Sequence, residues 1–474
     1  MKRALIAVHR WLGVPLSLFF ALWFPSAVGT MYWDFPTVTP QDRLARSAPI
    51  DPQAIAVTPA AALAAAGIDG APADLRLNTF DGRPVYRIAS GRRTVVVFGD
   101  TGAVRGDAAA DVIRRAASRW TGRPEADARM DAVTAVDQWT VQGPLRTLRP
   151  LWKCTFGDGQ QVYVAGATGE VVQYTTSASR LGAYLGPIPH WLYFTPLRQR
   201  QQLWTSTVIW SSGVATLAAA LGLAAAIWMS APIGRVPYRG QKRWHVVLGF
   251  VFGAGAVTWA FSGMMSMDPF ASPPPAAPPI RLRDPLALEA FAARTPRQAL
   301  SALAPSRVKE LQWMSTLGTP AYLATLDDGT TRVVPIAGPP RTTFDGDGIA
   351  AALAAAGATV RTLDRYDAYY IDRHRRKPLP VLVATTRASR VYVDPATATV
   401  VATYGPGDWS KRWLYHGLHS LDLPWLYTRR PLWDALVIAL MAGGTALSIT
   451  SLTLAWRVAR GFRRSPSMPR PATR

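Results

Sequence analysis

The stretch RWHVVLGFVFGAGAVTWAFSGMMSMD, Arg243 to Asp268, has no Asp, Glu, Lys or Arg between its two flanking charges. It is long enough to cross the roughly 30 Å hydrocarbon layer of a bilayer as a helix of about 20 residues. Three other gaps read the same way, between Arg10 and Asp34, Arg200 and Arg235, and Asp434 and Arg457. The chain of 474 residues is therefore predicted to be a membrane protein with four spanning helices.

Orientation follows from the flanking charge. Lys2, Arg3 and Arg10 precede the first span. Arg235, Arg239, Lys242 and Arg243 join the second to the third, and Arg457, Arg460, Arg463, Arg464, Arg470 and Arg474 follow the fourth; no acidic residue accompanies them. The positive-inside rule makes these segments cytoplasmic and both long connections outward-facing. They also supply thirteen of the charges behind the formal +22. No long basic domain remains to track a phosphate backbone, so nucleic acid is excluded as a partner. Trp11, Trp33, Trp204, Trp228, Trp244, Trp433 and Trp456 stand near span ends, where indole rings favour the headgroup level of the phospholipid membrane. A cleaved signal peptide also begins with basic residues before an apolar run, but the first uncharged stretch is much longer than a typical signal core, so a retained helix is expected.

The single cysteine, Cys154, rules out an internal disulfide, a C-x-x-C-H haem attachment and a cysteine-held iron–sulfur cluster. Four of the six histidines stand at span ends. Counting from His9 and from His245 gives Gly at +4, Trp at +14 and Ser at +17; counting from His190 and from His419 gives Leu at +2 and +7, Arg at +10 and Leu-Trp at +13 and +14. These matches suggest two parallel copies of a two-span unit, related by an axis along the membrane normal. Equivalent residues would then face each other: His9 and His245 on the cytoplasmic side, His190 and His419 on the outer side. Two imidazoles on opposite faces of one iron give a six-coordinate, electron-transferring haem, so two non-covalent b-type haems are expected. A lone histidine at a span end can equally be an interfacial polar residue; it is the set of four that points to ligation. His416, three residues before His419, could replace it as ligand, bond a propionate or serve the outer electron exit. His374, within a charged run, reads as solvated. Arg10, Lys242 and Arg243 near the inner pair, and Arg198, Arg200, Lys411, Arg412, Arg429 and Arg430 near the outer, suit propionates or lipid headgroups.

The outward connections read as small α+β regions. In the first, Pro59 to Gly67 is helix-like, followed by strand-like Pro84–Ile88 and Thr94–Phe98, a turn at Asp100-Thr-Gly102, and a second strand pair at Gln161–Val164 and Glu170–Tyr174 around a turn at Ala167-Thr-Gly169. The second begins with an extended Pro-rich linker, Ser272 to Pro279. It continues with a helix at Gly348–Gly357, strands at Leu379–Thr385 and Arg390–Val393, and a turn at Asp394-Pro395.

The first helix with GRPVYRI, TVVVFGDTGAV and QVYVAGATGEVV resembles PepSY domains. HRWLGV, KRWHVVLGF, DAYYIDR, KPLPVL, RWLYHGLHSLDLPWLY and RPLWD resemble the PepSY-associated transmembrane family. The likeness touches most of the chain outside 269–345. It implies a protein of the inner membrane of Gram-negative bacteria, linked to iron acquisition and similar to haem-containing reductases of ferric siderophores. The family's histidine motifs fall on His9, His190, His245, His416 and His419. Some relatives carry a flavin and nicotinamide reductase domain, for which the cytoplasmic parts here are too short, so a separate cytoplasmic reductase or quinol is the implied electron donor.

The expected architecture is thus a four-helix transmembrane bundle of two parallel two-span repeats with two periplasmic PepSY-like regions. Helices and edges occupy 1–34, 186–232, 244–268 and 409–456, periplasmic regions 35–185 and 269–408, and a cytoplasmic link and tail 233–243 and 457–474. The expected function is electron transfer to a ferric siderophore or another iron(III) chelate, an oxidoreductase activity requiring no acid–base constellation. The main rival is a membrane-anchored regulator binding a peptide or peptidase through its PepSY regions. A permease is a third reading, poorly served by spans without internal charge.

Overall fold

The computed structural model describes residues 2–463 except 92, 231–235, 271–277, 279 and 373–374. His374, Arg235, the tail arginines 464, 470 and 474, and all of the expected Pro-rich linker but Pro278 lie outside the described residues. The chain divides into two compact units, one built from 1–35, 178–273 and 409–474, the other from 36–177 and 274–408.

The first unit contains the four helices expected to span: α1 (Lys2–Tyr32), α2 (Gln201–Ser230), α3 (Gly240–Met265) and α4 (Arg430–Arg463). All four are long and apolar enough to cross a membrane. Many of their large apolar side chains point outward, Leu18 and Trp210 being 67% and 71% exposed. Such surface suits hydrocarbon and would be costly in water. Helix α1 packs along α2 and α4, and α3 does the same, so α1 and α3 sit diagonally across the bundle. Close packing is made possible on α4 by Gly443 and Gly444, whose missing side chains leave room for the rings of Phe252 and Phe24. Phe24 reaches across the diagonal to Trp259, ring centroids 6.0 Å apart. Short helical segments precede α2 (Ser177–Leu185, Pro187–Trp191, Thr195–Arg198) and α4 (Pro406–Ser410, a π-helical turn at Lys411–Gly417, Pro424–Tyr427). We call these segments the caps.

The second unit is built on three antiparallel sheets. Strands β1 (Asp74–Phe80), β2 (Arg83–Ser90) and β3 (Arg93–Phe98) join β8 (Val308–Thr316), β9 (Thr319–Leu326) and β10 (Thr331–Pro335) in the order β10-β9-β8-β1-β2-β3. A four-stranded sheet holds β4 (Arg129–Val133), β5 (Leu151–Thr155), β6 (Gln161–Ala165) and β7 (Val171–Thr175). Another holds β11 (Thr359–Leu363), β12 (Val381–Thr385), β13 (Arg390–Asp394) and β14 (Thr399–Tyr404). Helices at Pro59–Ala65 and Pro296–Ser301 start where Thr58 and Thr295 cap free amides ahead of a proline at the first helical position. They cover the six-stranded sheet, whose core includes Leu77, Tyr86, Ile88, Leu311, Trp313 and Tyr322.

Several expectations need correction. The two outward connections, read from the sequence as two α+β regions, share a sheet in which β1 of the first pairs with β8 of the second. Strands β8, β9 and β10 fall within 269–345, where the sequence reading assigned no strand. The strand expected from Leu379 starts at Val381, since Pro380 has no N–H to give a ladder. The helix expected from Gly348 starts at Gly346 because Asp345 caps it.

The first connection opens with an extra helix, Pro40–Arg46; from Pro59–Ala65 and Pro296–Ser301 onward the two have the same order of α-helices and strands: a short helix, three strands, a second helix (Ala110–Thr121 or Gly346–Ala355) and four strands. The hairpin turns Asp81-Gly82 and Leu317-Gly318, both with positive φ, and the starts of the second helices, Ala110 and Gly346, stand 236 positions apart, as do His9 and His245. Arg76 and Gln312, at the same offset, are partners in the β1–β8 ladder.

Candidate functional site

The four histidines form two pairs. His9, on α1, and His245, on α3, meet across the bundle diagonal with ring centroids 6.2 Å apart and planes tilted by 32°. His190 and His419, one on each cap, have centroids 5.8 Å apart and planes at 57°. On α1, the 17 positions from His9 to Ser26, which touches His190, correspond to a rise of about 25 Å. Both pairs therefore belong to one bundle at well-separated levels.

Each imidazole is held through Nδ1. His9 Nδ1 lies 2.8 Å from the Ala218 carbonyl oxygen. His190 Nδ1 lies 3.3 Å from both the Trp23 carbonyl and Ser26 Oγ. His419 Nδ1 lies 3.0 Å from Ser262 Oγ, and His245 Nδ1 3.2 Å from Thr450 Oγ1 and 3.4 Å from Ser451 Oγ. The carbonyls can only accept. The hydroxyls already donate within their own helices, Ser26 to Leu22, Ser262 to Trp259, and Thr450 and Ser451 to Leu447. A hydroxyl has one proton, so towards the imidazole each of these oxygens accepts. The carbonyls thus place the hydrogen on Nδ1 of His9 and His190, and with the hydroxyls donating to their helix carbonyls the same tautomer serves His245 and His419; in it the lone pair is on Nε2. Among the described residues no hydrogen bond reaches any of the four Nε2 atoms.

Local packing positions the rings. A side chain on Gly222 of α2 would overlap the His9 ring, so glycine there makes the approach possible. At the caps, the backbones of Gly29 and Gly186 touch, bringing the helix Pro187–Trp191 and its His190 against α1. Burial pushes the His190 imidazole down to about 4. The same effect, with the neighbouring His190 adding to it, takes His419 to about 3. Both are neutral at physiological pH, the form a metal ligand needs.

His416 is exposed, its ring against Tyr415 at 4.5 Å, whereas His419 faces His190. Of the two, the geometry selects His419 as the partner. The expected propionate cations divide. Lys411 pairs with Asp268 at 2.6 Å and Arg430 with Asp434 at 3.0 Å. Arg198 and Arg412 are buried, Arg198 between the rings of Tyr193 and Trp204 and Arg412 over Trp413. The interfacial role expected of Trp204 and Trp433 is overturned, since they are only 9% and 2% exposed. Trp11, Trp33, Trp228, Trp244 and Trp456 are exposed, as that role requires.

Imidazole pairs with this geometry can hold a haem. An iron–nitrogen bond of roughly 2 Å on each side, plus about 1 Å from nitrogen to ring centre, predicts a centroid spacing of about 6 Å. Both spacings match. A bare ion fits poorly, because zinc takes four ligands and no group of three or more His, Cys, Asp or Glu residues occurs among the described residues. A porphyrin brings four nitrogens of its own and asks the protein for two.

No protein-family model and no curated protein matches this chain.

The residues that orient the imidazoles, Ala218, Gly222, Thr450 and Ser451, were not singled out from the sequence. Ser26 and Ser262 were visible there only as a repeated position. The repeated Gly13 and Gly249 touch nothing that explains their recurrence.

Proposed function

We propose that this chain is a b-type di-haem protein of the bacterial inner membrane that carries electrons outward and reduces an iron(III) chelate, such as a ferric siderophore, in the periplasm. The observation that supports this best is the pair of histidine couples, each about 6 Å across, with Nδ1 engaged and Nε2 left for a metal. His9 and His245 would hold the inner group, His190 and His419 the outer one. When bound, haem supplies reversible one-electron chemistry. The protein's part would be to offer two histidine ligands to each group, so that neither oxygen nor the chelate need bind the iron directly. Nδ1–H bonds to Ala218, Trp23, Ser262 and Thr450 fix ring orientation and raise ligand basicity. Buried Arg198 and Arg412 supply positive charge at the outer level.

The matching order of helices and strands in the two connections, and the 236-residue offset shared by His9, the hairpin turns and the second helices with their counterparts, support a duplicated two-span, PepSY-bearing unit. The basic segments at one end of the bundle favour cytoplasmic termini. A quinol or a cytoplasmic reductase would supply the electron. Accepting it weakens the chelate, because hard oxygen donors hold iron(III) far better than iron(II).

An optical spectrum of the purified protein tests the reading. A reducible Soret band with sharp α and β bands is expected, at about two haems per chain. His9→Ala and His190→Ala should each remove one haem and leave the other. A colourless protein, or variants that change nothing, would leave the regulatory PepSY reading in its place.

A further inference from the structure

The caps hold an unusual backbone just beyond each histidine. Two residues after His190, Leu192 has φ +52; two after His419, Leu421 has φ +51. A branched side chain makes the left-handed region unfavourable, so such residues persist only where their surroundings over-determine them. The carbonyl between histidine and leucine is where an outside group takes hold. Trp204 Nε1 donates to the Trp191 carbonyl at 2.9 Å, and Trp433 Nε1 to the Ser420 carbonyl at 3.0 Å. Both tryptophans occupy the fourth position of a long helix, α2 and α4, and both are buried. The same clamp thus occurs at equivalent positions of both caps, in HWLYF and HSLDL.

We propose that Trp204 and Trp433 are positioning residues for the outer histidine pair: each indole N–H ties a strained cap turn to its long helix and so fixes the imidazole next to it. A headgroup-level tryptophan would sit with its N–H towards water, and a space-filling one would need no donor. The paired bonds onto equivalent carbonyls match neither role. The clamp is read from the protein alone, while its consequence for an iron rests on the haem reading above.

Trp204→Phe and Trp433→Phe keep the aromatic ring and remove the donor. Trp210→Phe, on the exposed face of α2, is the control. In detergent-purified full-length protein, hydrogen exchange should rise roughly tenfold or more over 187–198 in the first variant and over 411–427 in the second. Exchange around His9 and His245 should stay at the wild-type level. In the haem-loaded protein, the dithionite-reduced Phe variants should bind carbon monoxide at one haem of the two, because a loosened imidazole opens an axial position that the wild type keeps filled. Each variant is read in its own cap, so either one carries the test if the other fails to accumulate. Wild-type exchange over the corresponding cap in the Phe variants overturns the proposal. A wild type without haem would defeat the haem reading, and the exchange measurement would still decide the clamp.

Discussion

At Gly222 a hydrogen atom is all that fits beside the His9 ring. The tolerance is steric, so the cost of a larger residue falls on the ring: either His9 leaves its place or α2 moves away, and overpacking of this kind costs about 1–3 kcal/mol. Gly222→Val is expected to displace His9 from the Ala218 carbonyl and, under the proposed di-haem function, to lower bound haem from about two per chain to about one, with the outer-site spectrum kept. Haem-to-protein ratio by pyridine haemochrome checks this, and an unchanged ratio would remove Gly222 from the site. Cys154 shows the opposite relation of residue to function. Buried in the core of a four-stranded sheet, its thiol is pushed up to about 11, and it is an inert packing residue.

Among the elements, the caps carry the sharpest consequence. His190 and His419 are buried neutral, with folded-state values of about 4 and about 3 against 6.5 for an unperturbed imidazole. Between those limits the unfolded cap binds protons that the folded cap refuses, so stability falls as pH falls. Their contribution is fully present above pH 6.5 and declines on acidification towards pH 4. In haem-free protein, cap amides at 187–198 and 411–427 should lose protection between pH 7 and pH 5, after correction for intrinsic exchange, while strands β5 and β6 lose little. Equal loss in both regions would dissociate the effect from the histidines. The π-helical turn Lys411–Gly417 leads directly to His419, in keeping with the frequent occurrence of such turns at functional sites.

For the molecule as a whole, the β1–β8 ladder ties together two connections that lie far apart in sequence. Leu77 and Leu311 are opposed in it and fully buried, inside a core drawn from both segments. Leu311→Asp places an unpaired carboxylate there, at a cost of about 3–5 kcal/mol. Both segments should then lose stability together, read as a shared drop in the unfolding temperature of the second unit and a common rise in proteolysis at 36–177 and 274–408. Cleavage confined to the second segment would mean that each connection folds by itself.

Much of this was legible in one dimension. Uncharged runs between charged ends fix where long apolar helices form, because an unpaired charge or backbone group in hydrocarbon is prohibitively costly, and all four helices lie where those runs are. The recurrence of Ser26 with Ser262 and of Trp204 with Trp433 marked the right positions without their roles. Hairpins with local turns, such as β2–β3 and β6–β7, were equally readable. Strand pairing across the two connections was not, because β1 and β8 meet through partners more than 200 residues apart and neither sequence names the other. Nor could the order of residues say that His419 rather than His416 meets His190, that Ala218 and Thr450 orient imidazoles, or that two tryptophans turn inward to hold carbonyls. Those outcomes depend on which helix faces lie together, and only the packed bundle sets that.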